Sequence, residues 1–247
     1  MLELNKIYNV DYLEGIEQIE PNSVDLVFAD PPFNILVNEN VSVRDKTQIR
    51  EAEFDKVIFN VSQFVDKMTK VLRDGGTFLF FSGTQQITEY INSIKKNNLR
   101  FSNFLVWYNP LGFPSIRKRS FQNHCQLIIF GHKEINKKYT FNFKTSREMK
   151  NLLEFNGCVS FEYSGGNPGE YVRHPTQKPT KLYEYLIEVT TNVGDIVLDP
   201  LIGSGTTAVA CKKLNRNFIG FEINPEYCKI ANDRLKKYNT VPFSEMW

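Results

Sequence analysis

The sequence predicts an α/β protein built on a mostly parallel sheet with helices on both faces. Short apolar runs alternate with longer amphipathic stretches along most of the chain, the pattern of strands followed by crossover helices. At 247 residues the chain is long enough for one continuous core, with ordinary hydrophobic and charged fractions of 41% and 23%. Asp74-Gly75-Gly76 stands as a breaker where a helix should end and a strand begin.

The elements follow in order. Apolar or β-branched runs predict strands over residues 6–10 (KIYNV), 24–29 (VDLVFA), 77–82 (TFLFFS), 104–108 (FLVWY), 126–131 (QLIIFG), 196–198 (IVL) and 217–222 (NFIGFE). Helical periodicity predicts helices over residues 57–72, 85–96, 180–191, 206–214 and 225–237. The helix from 180 carries Leu182, Tyr185, Leu186 and Val189 on one face, and Pro179 suits its start. Two regions break the alternation. Residues 34–54 are polar and charged and read as a loop over a site, whereas residues 110–173 hold one strand followed by aromatic, basic and Gly-rich stretches.

No apolar run approaches the roughly 20 residues that span a bilayer. The N-terminus carries Glu3 and Asp11 where a secretory signal needs a basic start and an apolar stretch. Cys125, Cys158, Cys211 and Cys228 lie far apart without C-x-x-C spacing, so no metal site or disulfide framework is expected, and a cytoplasmic protein is. The net charge of +2 is uneven, with nine Lys/Arg against two Asp/Glu between Asn109 and Lys150. Such a segment is either a polyanion-binding surface or a solvated basic loop.

Four motifs carry chemistry. Asp30-Pro31-Pro32-Phe33 follows the apolar run 24–29, and ligands of open α/β sheets bind at the carboxyl ends of strands. Two prolines remove two N–H donors, leaving an acceptor-only corner of the Asp30 carboxylate and the Asp30 and Pro31 carbonyls beside the Phe33 ring. That corner suits an exocyclic amine on a base swung out of its stack; the plain alternative is a rigid turn with Phe33 in the core. Asp199-Pro200-Leu201-Ile202-Gly203-Ser204-Gly205-Thr206-Thr207 follows the run 196–198, and its glycines permit a tight turn into a helix whose N–H groups favour an anion. It lacks the lysine of a P-loop, and Ala208 replaces the third glycine of a dinucleotide fingerprint. A Gly-rich turn without a ligand is the alternative. Glu222 ends the next strand about 20 residues on, placed either to accept from ribose hydroxyls or simply to face solvent. His174-Pro175-Thr176-Gln177-Lys178-Pro179 precedes a helix, and Lys178 could meet a carboxylate or phosphate or stay solvated. His174 has no second ligand at metal spacing.

Together these motifs resemble the amino-methyltransferases of DNA restriction–modification systems and phages. Asp30–Phe33 matches the catalytic pattern [DNS]-P-P-[YFW], and Asp199–Thr207 matches the cofactor pattern D-P-F-x-G-S-G-T-T, with Leu201 in place of Phe. H-P-T-Q-K-P is a further signature, and the catalytic motif comes first, as in the permuted β class. The resemblance covers about residues 2–132 and 174–238. It implies a Rossmann-like S-adenosylmethionine-dependent methyltransferase fold, circularly permuted, as a single domain over residues 1–247 with a target-recognition insertion at 109–173. It further implies a seven-stranded mixed sheet, whose order is strand 3 (6–10), strand 2 (217–222), strand 1 (196–198), strand 4 (24–29), strand 5 (77–82), antiparallel strand 7 (126–131) and strand 6 (104–108).

The activity implied is transfer of a methyl group from S-adenosylmethionine to adenine N6 in DNA. Asp30 favours adenine, since Ser is usual at that position in cytosine-N4 enzymes. The alternatives are a cytosine-N4 enzyme, an RNA or protein methyltransferase, and a non-catalytic DNA-binding relative. Asp30, Pro31, Pro32 and Phe33 would be catalytic. Asp11, Asp30, Lys178, Asp199, Leu201, Gly203, Ser204, Gly205, Thr206, Thr207 and Glu222 would hold the cofactor, and Arg117, Lys118, Arg119, Lys133, Lys137 and Lys138 would meet DNA. A homodimer and a cognate restriction endonuclease are the protein partners the resemblance brings into question.

Overall fold

The computed structural model describes residues 2–34, 58–112, 123–133, 138–158 and 177–237. Its strands are β1 (Lys6–Tyr8), β2 (Val24–Ala29), β3 (Leu72–Ser82), β4 (Leu99–Tyr108), β5 (Cys125–Lys133), β6 (Leu152–Glu154), β7 (Ile196–Asp199) and β8 (Asn217–Phe221). The helices are α1 (Tyr12–Gly15), α2 (Val61–Val71), α3 (Ile87–Lys96), α4 (Thr180–Thr190), α5 (Thr206–Lys213) and α6 (Pro225–Lys237). The strands form one sheet in the order β1-β8-β7-β2-β3-β5-β4-β6. Only β5 runs antiparallel to its neighbours.

The seven expected strands stand in the expected order. The sheet is nonetheless eight-stranded among the described residues, which corrects the seven-stranded expectation. The added strand, β6, pairs parallel with β4 through Val106↔Leu152 and Tyr108↔Glu154. It is a three-residue edge strand, too short for periodicity to register. Asp74-Gly75-Gly76 does not separate helix from strand either. Helix α2 ends at Val71, β3 starts at Leu72, and the triplet forms a bulge, with Gly75 at φ 75° between the pairs Val24↔Leu72 and Leu26↔Thr77. Strand β4 likewise begins at Leu99, and α1 was not expected.

Alternation along the strands divides the core. Leu26, Phe28, Leu79 and Phe81 face one side with Leu182, Tyr183 and Leu186 of α4, Ala208 of α5 and Ala231 of α6. Val27, Ala29, Phe78 and Phe80 face the other with Phe64, Val65 and Met68 of α2 and Tyr90 and Ile94 of α3. Strand β2 lies at the centre, buried on both faces, which is why its sequence is apolar almost throughout. Helix starts are specified locally: the Asn60 side chain accepts from Gln63 N at 2.9 Å ahead of α2, and Asn224 accepts from Glu226 N at 2.8 Å at the start of α6.

The parallel strands β1, β8, β7, β2 and β3 are consecutive neighbours, so their carboxyl ends share one edge. Asp11, Glu222, Asp199, Asp30 and Gly83 stand at or just beyond those ends. The β4–β5 connection also opens at this edge, because Tyr108 pairs with Cys125.

Candidate active site

Asp30 leaves β2 half-buried and forms an ion pair with Lys178, whose ammonium is also 5.0 Å from the centroid of the Phe81 ring. The side chains retain 20% and 8% exposure, so the pair is shielded yet reachable from the edge. Below it lies an aromatic floor, with Phe28 stacked on Tyr183 at 4.2 Å and on Phe81 at 6.2 Å. A cation over such a face is held electrostatically by the ring quadrupole.

The next residues are fixed from β3. Gln86 donates from Nε2 to the Pro32 carbonyl at 2.9 Å. Its Oε1 accepts from Gly83 N at 3.4 Å. A Cβ on Gly83 would lie 3.0 Å from the Phe33 Cβ, so glycine lets the Asp30–Phe33 tetrapeptide approach the end of β3 closely. Phe33 is partly buried against the core that holds Phe28 and Phe81. Asn34, at φ 57°, closes the segment by exchanging hydrogen bonds with the Phe59 backbone at 2.9 and 3.1 Å. The expected loop over residues 34–54 lies almost wholly outside the described residues.

The second turn is satisfied internally. Asp199 accepts from Leu201 N at 3.1 Å and from the Thr207 hydroxyl. Burial pushes the Asp199 carboxyl up to about 7. Glu222 Oε2 accepts from Gly203 N at 3.0 Å and its Oε1 from Asn224 N at 2.8 Å, and burial raises this carboxyl above its ordinary range. Gly203 and Gly205 lie at φ 51° and 80°, where glycine is needed. A Cβ on Gly205 would fall 2.9 Å from the Ala231 Cβ of α6. Thr206 Oγ1 donates to the Lys178 carbonyl at 3.3 Å, joining this turn to the stretch that carries Lys178 to Asp30. Ser204, Thr206 and Thr207 are buried, and Leu201 packs partly against the opposite core. Beyond the end of β1, Asp11 accepts from Leu13 N at 2.8 Å and caps α1. The Asn9 side chain donates to the Glu222 carbonyl at 2.8 Å, which ties the ends of β1 and β8.

Asp30–Phe33, Lys178, the Asp199–Thr207 turn, Glu222 and Asp11 therefore gather at one sheet edge. Arg117, Lys118, Arg119 and Lys137 lie outside the described residues. Lys133, expected to meet DNA, ends β5 at the opposite edge with its ammonium 9% exposed as a residue and bonded to Asn22 Oδ1 (2.6 Å), Thr69 O (3.1 Å) and Leu72 O (2.8 Å). That corrects the expectation: the cation terminates α2 and is not available to a phosphate. Lys138 is exposed, but it adjoins Tyr139, which stacks on His132 at 3.9 Å near that same far edge. The nearby Asn142 side chain caps α4 by donating to the Glu188 and Thr191 carbonyls at 2.8 Å.

Three residues that bond or abut these segments were not singled out from the sequence: Gln86, Gly83 and Arg234, whose guanidinium donates to Ser204 O and Thr206 Oγ1. Arg234 had a legible signal. Cys228, Ala231 and Arg234 recur every three residues on the buried stripe of α6, and a charged member of such a stripe stands out.

A DNA methylase family model, of the N6/N4 class, matches residues 24–233. The chain is 34% identical to the Type II methyltransferase M.HpaI of Haemophilus parainfluenzae over 234 residues, covering 90% of this chain and 71% of that protein. It is 28% identical to M2.MboI of Moraxella bovis over 250 residues, covering 95% and 89%. Among solved structures, the M1.HpyAVI–SAM complex aligns with a TM-score of 0.67 at 25% identity, over 93% of this chain and 98% of that one. The cytosine-N4-specific PvuII DNA methyltransferase shares the fold, with a TM-score of 0.72 at 21% identity over 95% and 89%. The chain belongs to the N6/N4 family of DNA methylases.

Proposed function

We propose that the protein transfers a methyl group from S-adenosylmethionine to the N6 amine of adenine in duplex DNA. The observation that carries this reading is the Asp30–Phe33 corner at the end of β2, with its carboxylate held by Lys178 beside the Gly203–Gly205 turn. The residues present fit the cofactor. Glu222 spends one lone-pair direction of each oxygen on Gly203 and Asn224, leaving acceptor capacity for ribose hydroxyls. Carboxyl groups of Asp11, Asp30 and Glu222 stand along this edge, an arrangement that suits a cationic sulfonium.

When bound, S-adenosylmethionine supplies a methyl group on a positive sulfur, already a strong electrophile. The protein's task is then orientation and electrostatics. Asp30 and the Pro31 carbonyl accept the two N–H bonds of the target amine and draw its lone pair out of the ring. The Pro32 carbonyl already accepts from Gln86 Nε2, which leaves it the more engaged of the two proline carbonyls. Phe33 offers a stacking face to the flipped base. Lys178 holds Asp30 in place until the amine arrives, and it shares or yields the carboxylate then. Arg117, Lys118 and Arg119 contact phosphates. The support for this is that the β4–β5 connection carrying them opens at the edge that bears Asp30.

The preference for adenine rests on Asp30 in the catalytic motif and on the breadth of the Phe33 ring for a purine. The test is to incubate the protein with cofactor and duplex DNA, single-stranded DNA or RNA, digest each product, and identify the modified nucleoside by mass. N6-methyladenine from duplex DNA is expected. N4-methylcytosine as the main product overturns the base assignment, and methylated RNA alone overturns the substrate.

A further inference from the structure

Arg234, in the last turn of α6, is 3% exposed although it carries a charge. A buried guanidinium costs more than an apolar side chain of similar size would, so its hydrogen bonds mark where that cost is recovered. They reach three residues on two other segments. Nη1 donates to Ser204 O at 3.2 Å, Ser204 Oγ at 3.4 Å and Thr206 Oγ1 at 3.0 Å. Nη2 donates to Thr180 Oγ1 at 2.9 Å.

These contacts continue toward Asp30. Thr206 Oγ1, which accepts from Arg234, donates in turn to the Lys178 carbonyl at 3.3 Å. The ammonium of Lys178 meets the Asp30 carboxylate. Hydrogen bonds thus link α6 through the Gly-rich turn to the Lys178 backbone, and the Lys178 side chain completes the connection to Asp30. One turn of α6 earlier, Ala231 presses on Gly205, so the same helix face shapes the turn at Gly205 and binds its flanks at Ser204 and Thr206.

We infer that Arg234 is a positioning residue for methyl transfer: its guanidinium sets the spacing between the Ser204–Thr206 turn and the 178–180 stretch that delivers Lys178 to Asp30. The inference rests on the cofactor role proposed for that turn. Hydrogen bonding by a planar, forked cation is the property that matters, because only such a group spans Ser204, Thr206 and Thr180 at once.

The test compares wild type with Arg234→Met, Arg234→Lys and Thr180→Val in the full chain. S-adenosylhomocysteine affinity is read by calorimetry without DNA, alongside melting temperature and the KM and kcat of methyl transfer. Arg234→Met fills the space without hydrogen bonds, and it should weaken S-adenosylhomocysteine binding about tenfold or more and lower kcat as well. Arg234→Lys should recover part of both losses. Thr180→Val, which leaves α6 intact, should shift them in the same direction by about two- to fivefold. If Arg234→Met lowers only the melting temperature, with affinity and kcat within about twofold of wild type, Arg234 merely packs and the inference fails. If Arg234→Met does not fold, unchanged affinity in both other variants overturns it equally. Wild-type protein that binds no S-adenosylhomocysteine would overturn the proposed cofactor role, and this inference with it.

Discussion

The two halves of the site differ in how their polar groups are satisfied. In the Asp199–Thr207 turn, Asp199, Thr207, Gly203 and Glu222 answer one another, with Arg234 behind them. That half is preorganised, and a ligand arriving there changes few bonds. In the Asp30–Phe33 corner the carboxylate pairs with a cation on a long stem, and the aromatic ring is only half-buried. That half must exchange partners when an amine enters. The difference teaches where each class of substitution should register: changes in the turn should appear in folding and cofactor affinity, and changes in the corner in turnover.

Outside the Asp30 carboxylate, the largest expected effect is at Phe33. Replacing it with Ala removes the stacking face and should lower kcat/KM by about 10- to 100-fold, since base–aromatic stacking is worth about 1–3 kcal/mol. Phe33→Tyr and Phe33→Trp should stay close to wild type. Equal losses in all three would show that the ring serves packing against the core behind it instead.

Gly205→Ala probes the preorganised half. It forces a side chain to φ 80° and sets a Cβ 2.9 Å from that of Ala231. Strain and overpacking together should cost about 1–3 kcal/mol of stability and weaken cofactor binding. An unshifted melting curve would mean that the α6–turn contact gives way easily.

The basic residues divide the same way. Lys133→Met strips a donor from the Thr69 and Leu72 carbonyls, and it should cost about 1–3 kcal/mol of stability without changing how DNA affinity depends on salt. Converting Arg117, Lys118 and Arg119 to Ala should instead flatten that dependence by about 0.9 in log–log slope per lost phosphate contact. A flattened slope for Lys133→Met would return that residue to the DNA surface.

The last expected effect concerns pH. The Asp199 carboxyl is raised by burial from 3.8 to about 7, so the folded protein binds this proton more tightly than the unfolded chain does. Its contribution therefore favours folding at acid pH and is lost as pH rises from about 4 through about 7. Asp199→Asn has no such charge to bury. The melting temperature of Asp199→Asn relative to wild type should rise between pH 5 and about pH 7 and level off by pH 8, whatever the constant offset. A flat difference would show that Asp199 stays ionised throughout.

These cases also show what the chain discloses before it folds. Strand β2 is readable because a strand buried on both faces must be apolar throughout, and the Asp30 and Asp199 motifs follow such strands directly. The edge strand β6 is three residues long and meets solvent on its outer residues, so neither length nor periodicity marks it. Lys133 was assigned from charge density, a property blind to burial. Its stem in fact carries the ammonium to the carbonyl end of α2. Lys178 shows the reverse: its motif was legible, but only the fold shows that its ammonium meets Asp30.

The most direct test of the account is single-turnover methyl transfer to duplex DNA by Asp30→Ala, per folded molecule. Asp30→Asn serves as the variant that keeps one oxygen acceptor. Removing the carboxylate strands the buried Lys178 ammonium, so a lowered melting temperature is expected and is not itself the result. The account predicts that correctly folded Asp30→Ala loses transfer by about a hundredfold to a thousandfold or more, with Asp30→Asn in between. Near wild-type transfer by folded Asp30→Ala would contradict it.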